Sequence, residues 1–436
     1  MVLLDSKKEQ ISNQYIHQLK RFTKMKNYHK ENKCRICSNT NLKLILDLEN
    51  QPPANSFIKK EKLLKPEKKF PLRLFLCDKC FLVQLLDVVS KEYLFSHYLY
   101  MTSASKPIVN HFKIYANEIC KKFFKQKKDA FIVEIGSNDG SLLKEFKMNG
   151  INVLGIEPAS NIAKIANDSG IPTINQFFTF GLAKKLSSKK ASMIVANNVL
   201  AHVENLQDLI KGVKTLLKND GIFVFEVPYL LNLIEKMEFD TIYHEHLSYF
   251  SIKSLKKLMD QNQLEIIDVK KQKVHGGTIR VFVSKKGVHT KKTNVSKILN
   301  LEKEFGISKI KTYRDFAKKV LLFRTELLNQ LNKLKEERKN IFGYGAPAKG
   351  NVLLNFCNID TNYIEFLLDT TPIKQKMYSP GMHIPIKSAD IINSKGDGDV
   401  ALLLAWNYKK EILEKENNFR KRGGKFLVPI PNPKLI

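Results

Sequence analysis

130-AFIVEIGSNDGSLLKEF-146 is the stretch on which the fold of this chain turns. A short run of aromatic and β-branched residues ends at Glu134 and Ile135, passes through Gly136 and Gly140, and resumes with apolar residues at helical spacing. That pattern is a strand, a glycine turn and a helix start, and the missing side chains let backbone N–H groups approach a ligand closely. The next apolar run, 152-NVLGIEP-158, ends in Glu157 and Pro158. A carboxylate at the end of a second strand, roughly twenty residues beyond the turn, is where a bound ribose presents its two hydroxyls. Glu134, Gly136, Asn138, Asp139, Gly140, Glu157 and Pro158 therefore read as the cradle of an adenosine-type ligand. On geometry alone that ligand is NAD or S-adenosylmethionine.

Apolar runs continue at 191-ASMIVANNV-199 and 221-GIFVFEVP-228, separated by helical stretches around 141–148, 160–168, 205–218 and 252–262. Such alternation makes a parallel sheet with helices on both faces. The segment 264-LEIIDVKKQKVHGGTIRVFVSKK-286 supplies two strands for an antiparallel edge, and Asn197 and Asn198 end a strand beside the same ligand. The expected organisation is α/β, with a Rossmann-like sheet over 101–290. An extension over 1–31 and a small metal-stapled module over 32–100 precede it; a connecting helix over 291–338 and a second α/β unit over 339–436 follow. The extension places Ile11, Tyr15, Leu19 and Phe22 on one helical face. In the connector, Ile310, Tyr313, Phe316, Val320, Phe323, Leu327, Leu331 and Leu334 recur at three- and four-residue steps, which predicts one long amphipathic helix across 295–338. The last unit opens with 340-NIFGYGAPAKGNVLLNF-356, and strands are expected at 363–369, 400–406 and 425–431.

The 436 residues hold 73 Lys+Arg against 43 Asp+Glu, a formal charge of +30 that raises the question of nucleic acid or membrane. The lysines are scattered through 59-KKEKLLKPEKK-69, 121-KKFFKQKK-128 and elsewhere, not gathered in an arginine-rich stripe with interleaved aromatics. They read as a solvated surface, with an acidic partner such as a diphosphate as the alternative. The start lacks a signal pattern, and no apolar run approaches the roughly 18 residues of a membrane span. A cytoplasmic protein, monomeric or a small homo-oligomer, is expected, with neither membrane nor nucleic acid as partner.

Two pairs, Cys34-x-x-Cys37 and Cys77-x-x-Cys80, give four thiolates in chelating turns, the pattern of a closed tetrahedral zinc site with no position left for water. Cys120 and Cys357 stand alone and read as small buried apolar residues. The segment 238-EFDTIYHEHLSYF-250 is the densest cluster of proton-transfer groups and follows the strand 221–228, so its loop should overlie the carboxyl ends of the sheet. Tyr243, His244, Glu245 and His246 are consecutive there, which favours acid–base chemistry; a metal held by His244 and His246 is the alternative. His202 ends the Asn197 strand and falls near the same pocket. Gly343-x-Gly345 with Lys349 reads either as a cradle for a diphosphate or as a tight strand-to-helix turn.

VEIGSNDG, GIEPAS and VANNVLAHVENL resemble the first, second and fourth strand motifs of class I methyltransferases. In order, the paired cysteine module, YMTSAS, VEIGSNDG, DTIYHEHLSYF, VHGGTIRVFV, GYGAPAKGN and YSPGMHIPI resemble the nucleotide-sugar C-methyltransferases over roughly residues 32–430. The resemblance implies structural zinc in the first module, S-adenosylmethionine in the middle domain, and a carboxy-terminal α/β domain that helps grip the nucleotide sugar, here through Tyr344, Gly345, Lys349 and Asn351. It carries the family's base over to His246 and places Tyr243, Glu245 and His202 around the reacting carbon, next to a ketone. The long amino-terminal stretch and the lysine excess are departures from that pattern. An O- or N-methyltransferase, and a zinc-containing nucleic-acid-binding protein, are the competing readings.

Overall fold

The computed structural model describes residues 27–94, 101–125, 129–272 and 276–436. The apolar face expected at Ile11, Tyr15, Leu19 and Phe22 lies outside the described residues, as do Tyr100, Val274 and His275 of the quoted motifs.

The amino-terminal module holds β1 (Tyr28–Lys30), β2 (Leu42–Gln51), β3 (Ile58–Lys59), β4 (Phe70–Cys77), β5 (Val83–Leu85) and β6 (Asp87–Val89). Along Phe70–Phe75 the burial of β4 alternates residue by residue, as a strand with one core-facing side requires. The middle of the chain contributes β7 (Phe131–Ile135), β8 (Asn152–Ile156), β9 (Thr173–Ile174), β10 (Ala191–Asn197), β11 (Leu217–Pro228), β12 (Ser248–Tyr249), β13 (Leu264–Gln272) and β14 (Thr278–Lys285). Seven of these form one sheet in the order β13-β14-β11-β10-β7-β8-β9. β7 to β11 run parallel, with the central β7 and β10 buried on both faces, while β14 runs antiparallel to β11 and β13. Chain order reverses direction between β7 and β10, so ligands of such a sheet sit above the carboxyl ends of these two strands.

β12 does not join that sheet. It pairs with β5 and completes an antiparallel sheet β12-β5-β4-β2 of the cysteine module. The segment rich in acid–base groups is thereby sewn to the metal module, a union across the sequence boundary expected at residue 100.

The last unit carries β15 (Asn340–Tyr344), β16 (Leu367–Asp369), β17 (Met377–Tyr378), β18 (Ile386–Ser388), β19 (Asp399–Leu403), β20 (Lys425–Val428) and β21 (Lys434–Leu435). Its sheet order is β18-β16-β15-β19-β20-β21, parallel up to β20, a second doubly wound sheet. β17 pairs with β3, a further tie to the cysteine module.

The connector differs from its expectation: it is two helices, Thr293–Phe305 and Ile310–Glu336. Gly306 ends the first in a left-handed conformation (φ +85°), its N–H returning to the Glu302 carbonyl at 3.1 Å, and buried Ile307 makes the corner. The second helix buries Tyr313, Phe316, Val320, Phe323, Leu327, Leu331 and Leu334. Each contributes about 1.5–3 kcal/mol of transfer free energy, which fixes this helix as the spine between the two α/β units. Glu302, itself buried, accepts from Tyr229 Oη (2.9 Å) and from the N–H groups of Ile252 (2.6 Å) and Lys253 (2.9 Å), so the shorter helix caps the start of helix Ile252–Gln261. Among the described residues no helix is long and apolar enough to cross a membrane.

Candidate active site

A cavity of about 580 Å³ opens above the carboxyl ends of β7, β8 and β10, within the size range of cofactor sites. Its floor is the glycine turn. Gly136 sits at φ +67° and donates to the Ile156 carbonyl (2.8 Å); a Cβ there would lie 2.6 Å from Val199 Cγ2, so only glycine fits. Asn138, also left-handed at φ +50°, donates its N–H to Glu157 Oε2 (3.0 Å) and accepts from Thr102 N–H (2.9 Å). Glu157 accepts from Ala159 N–H as well (2.9 Å), which holds its carboxyl at the cavity wall next to Pro158. Burial raises its pKa, opposed by the Ala159 and Asn138 N–H groups.

Glu134, Asn197 and Asn198 line the same cavity. Glu134 and Asn197 face each other across the wall: burial lifts the Glu134 carboxyl well above its usual range, opposed by the Asn197 side chain. Neither makes a well-formed hydrogen bond elsewhere in the protein, so the pair is open to a ligand that supplies further donors and acceptors. With the Glu157 carboxyl placed for a ribose, the wall suits S-adenosylmethionine.

Asp139 and Gly140, expected in the cradle, do not line the cavity. Asp139 accepts from Ser103 N–H (2.9 Å) and Ser141 Oγ (2.6 Å), and Gly140 packs on Ile171 as the N-cap of helix Ser141–Met148. They shape the turn from behind.

Sequence reasoning missed a buried network at the far wall. Glu226 and Arg280 are cross-strand partners on β11 and β14, paired at 2.8 Å, and both are 2% exposed. Glu226 also accepts from His111 Nε2 (2.9 Å), and the Arg280 guanidinium lies 3.6 Å from the centre of the Tyr115 ring. His111 and Glu226 reach the cavity, as do Phe177 and Phe178. The available signals were an acid inside the apolar run 221-GIFVFEVP-228, an arginine inside 278-TIRVFV-283 and the aromatic run 177-FFTF-180.

His202 lines the cavity on the Asn197 side, and its ring centre is 4.9 Å from that of His246, whose ring is 4.0 Å from Tyr243. Leu247 N–H donates to Ala201 O (2.7 Å), which clamps the loop after β10 to the histidine segment. His246 Nδ1 lies 2.9 Å from the Thr241 carbonyl. A carbonyl only accepts, so Nδ1 carries the proton and Nε2 is the basic nitrogen of the neutral ring. Burial, then the neighbouring His246, holds His202 down to about 3, so it is neutral at any working pH.

His244 goes the other way. Its Nε2 donates to the Phe70 carbonyl (3.2 Å), it is 1% exposed, and burial lowers it to about 4. The two histidines therefore do not share a metal, and among the described residues neither belongs to a cluster with ligand spacing. Glu245 is buried and accepts from Asn55 of the cysteine module (2.6 Å); burial raises its carboxyl to about 7, opposed by that bond.

The four sulfurs of Cys34, Cys37, Cys77 and Cys80 lie within 4.8 Å of one another. Sγ of Cys34 and Cys80 are 3.4 Å apart, and those of Cys37 and Cys77 3.5 Å. Zinc–sulfur bonds of about 2.3 Å at tetrahedral angles put sulfurs roughly 3.8 Å apart, so the donor set and its spacing fit zinc. Each Cys-x-x-Cys is followed by a left-handed residue, Ser38 and Phe81, whose N–H returns to the first cysteine's carbonyl (2.9 and 3.0 Å).

The sequence leaves Gly343-x-Gly345 open to two readings, a diphosphate cradle or a tight strand-to-helix turn. Gly345 N–H donates to Leu368 O (2.7 Å) and Ala346 N–H to Asp369 Oδ2 (2.8 Å), so these two donors serve a tight turn. Tyr344 bonds Glu416 (2.6 Å), Asn351 donates to Ala54 O (2.7 Å), and Lys349 bonds Asn407 beneath the Trp406 ring.

Three family descriptions match successive parts of the chain: a zinc binding domain over residues 34–95, a methyltransferase domain over 110–269, and a C-methyltransferase C-terminal domain over 273–431. The C-methyltransferase NovU of Streptomyces niveus is 36% identical over 407 residues, covering 92% of this chain and 96% of that protein. Among solved structures, magnesium protoporphyrin IX methyltransferase from Synechocystis PCC 6803 with bound SAH is 12% identical, covering 40% of this chain and 82% of its own (TM-score 0.33). A possible histamine N-methyltransferase from Thermotoga maritima is 17% identical, covering 41% and 92% (TM-score 0.32). The four cysteines are a zinc set, and the methyltransferase and C-methyltransferase parts run on from it: the chain belongs to the S-adenosylmethionine-dependent C-methyltransferases.

Proposed function

We propose that this enzyme methylates the carbon next to the ketone of a nucleotide-linked keto-deoxysugar, with His246 as the base. The observation that carries the reading is the His246 ring, fixed by its Nδ1–H on the Thr241 carbonyl and lying between Tyr243 and His202, the latter on the cofactor cavity wall. Carbon is a poor nucleophile unless a neighbouring carbonyl acidifies its C–H bond, and an oriented imidazole supplies the base for that step. His246 Nε2 takes the proton while the C–H electron pair moves into the enolate. The Tyr243 hydroxyl or neutral His202, on either side of the His246 ring, stabilises the negative oxygen as it develops. S-adenosylmethionine supplies an electrophilic methyl group to the enolate carbon. Glu134, Asn197 and Glu157 would hold that donor on the cavity wall, leaving S-adenosylhomocysteine there once the methyl group has moved. Glu245, gripped by Asn55, holds the loop against the cysteine module.

The test is incubation with isotopically labelled S-adenosylmethionine and a panel of nucleotide-linked keto-sugars in deuterated water. A new carbon–carbon bond to the labelled methyl next to the ketone is the expected product. Label found only on oxygen or nitrogen, with no deuterium entering the substrate carbon, contradicts the reading.

A further inference from the structure

In a doubly wound sheet the ligand crevice lies above the carboxyl ends of the two strands from which the chain order runs in opposite directions. In the carboxy-terminal unit those strands are β15 and β19. Lys349 follows the first, on helix Ala348–Cys357, and Trp406 and Asn407 follow the second. What meets them there is a turn of the methyltransferase domain, the single 3-10 turn Phe239–Thr241. Trp406 Nε1–H donates to Asp240 Oδ2 (2.7 Å), and Asp240 is 0% exposed. Lys349 bonds Asn407 and lies over the face of the Trp406 indole, 4.6 Å from its ring centre. Phe239 packs on Phe356 of helix Ala348–Cys357 (5.6 Å between ring centres) and on Phe323 of the spine helix (5.1 Å).

The last residue of this turn is Thr241, whose carbonyl takes the Nδ1–H of His246, and its hydroxyl is tied back to Glu238 O (2.7 Å). We propose that the carboxy-terminal unit uses its crevice to hold this turn, and that Trp406 and Asp240 are positioning residues which, through the Thr241 carbonyl, keep His246 in the tautomer with Nε2 basic. The inference rests on His246 being the base. It gives the second α/β unit a part in the chemical step: the unit aligns the imidazole from outside the pocket.

Trp406→Phe keeps an aromatic ring and removes the indole N–H that Asp240 receives from the carboxy-terminal unit. The expected result is a fall in kcat of about tenfold with KM for both substrates within twofold, because only the orientation of the base is loosened. Two-bond ¹H–¹⁵N spectra of ¹⁵N-histidine-labelled enzyme should show His246 wholly Nδ1–H in the parent and a tautomer mixture in the variant. Asp240→Asn retains an acceptor for Trp406 and should keep kcat within threefold, whereas Asp240→Leu should behave as Trp406→Phe. An unchanged kcat and an unchanged His246 tautomer in Trp406→Phe overturn the proposal. If Trp406→Phe fails to fold, Asp240→Asn decides: a kcat as low as that of Asp240→Leu overturns it. His246→Ala run alongside separates the two ideas. Loss of turnover in that variant with normal Trp406→Phe removes only the positioning role, and normal turnover in His246→Ala removes the base and with it the proposal.

Discussion

Replacing His244 with glutamine should flatten the acid limb of the stability curve while leaving the fold intact. His244 is buried as a neutral ring, donating Nε2–H to the Phe70 carbonyl, and burial lowers it to about 4. In the unfolded chain a histidine titrates near 6.5. Between those values the unfolded state binds the proton and the folded state does not, so the stability present above pH 6.5 is lost as pH falls toward 4. Linkage for one such group gives a loss of about 2 kcal/mol between pH 7 and pH 5 and about 3 kcal/mol in all. Glutamine can still donate an amide N–H to Phe70 but has no proton to take up. Urea midpoints at pH 7 and pH 5 for both proteins, each zinc-loaded, give the comparison, because titrations common to both cancel. The wild type should lose about 2 kcal/mol more than the variant over that interval. Equal losses, or a variant that releases metal at pH 7, would refute the assignment of His244 as a neutral brace.

Three other changes test the surrounding structure. Glu157→Ala removes the carboxyl placed for a ribose and should weaken S-adenosylmethionine binding at least tenfold by calorimetry, with the protein still folded but its melting temperature lowered, because the Asn138 and Ala159 N–H groups lose their acceptor. Arg280→Met leaves Glu226 as a buried, partly paired charge and should cost about 3–5 kcal/mol of stability in chemical denaturation; a loss under 1 kcal/mol would show that His111 alone satisfies that carboxylate. Cys77→Ser should lower zinc content and stability together, and a soluble, metal-free variant with full activity would contradict a structural role for the metal.

The strands of the central sheet and the cysteine quartet were legible because their signals are local: apolar runs bounded by glycine, and chelating pairs with two residues between them. The break at Gly306 escaped notice because the apolar spacing on either side stays in phase. What sequence spacing could not carry were the unions in space. β12 joins a sheet more than a hundred residues upstream, Asn55 reaches Glu245 across 190 positions, and Trp406 reaches Asp240 across 166. At Gly343-x-Gly345 the sequence left a phosphate cradle and a tight turn as alternatives, because spacing does not say where the N–H groups go; in the structure Leu368 and Asp369 take those of Gly345 and Ala346. Glu226 and Arg280 each look like an intrusion in an apolar strand until the antiparallel register sets them opposite one another.

The most direct test of the central claim is exchange of the substrate's α-proton with solvent, followed by NMR in deuterated water with S-adenosylhomocysteine in place of the methyl donor. Wild-type enzyme should wash the proton out of a bound keto-sugar. His246→Ala, with normal affinity for S-adenosylhomocysteine, should slow the exchange by about a hundredfold or more. Exchange at the wild-type rate in that variant would mean that another group takes the proton.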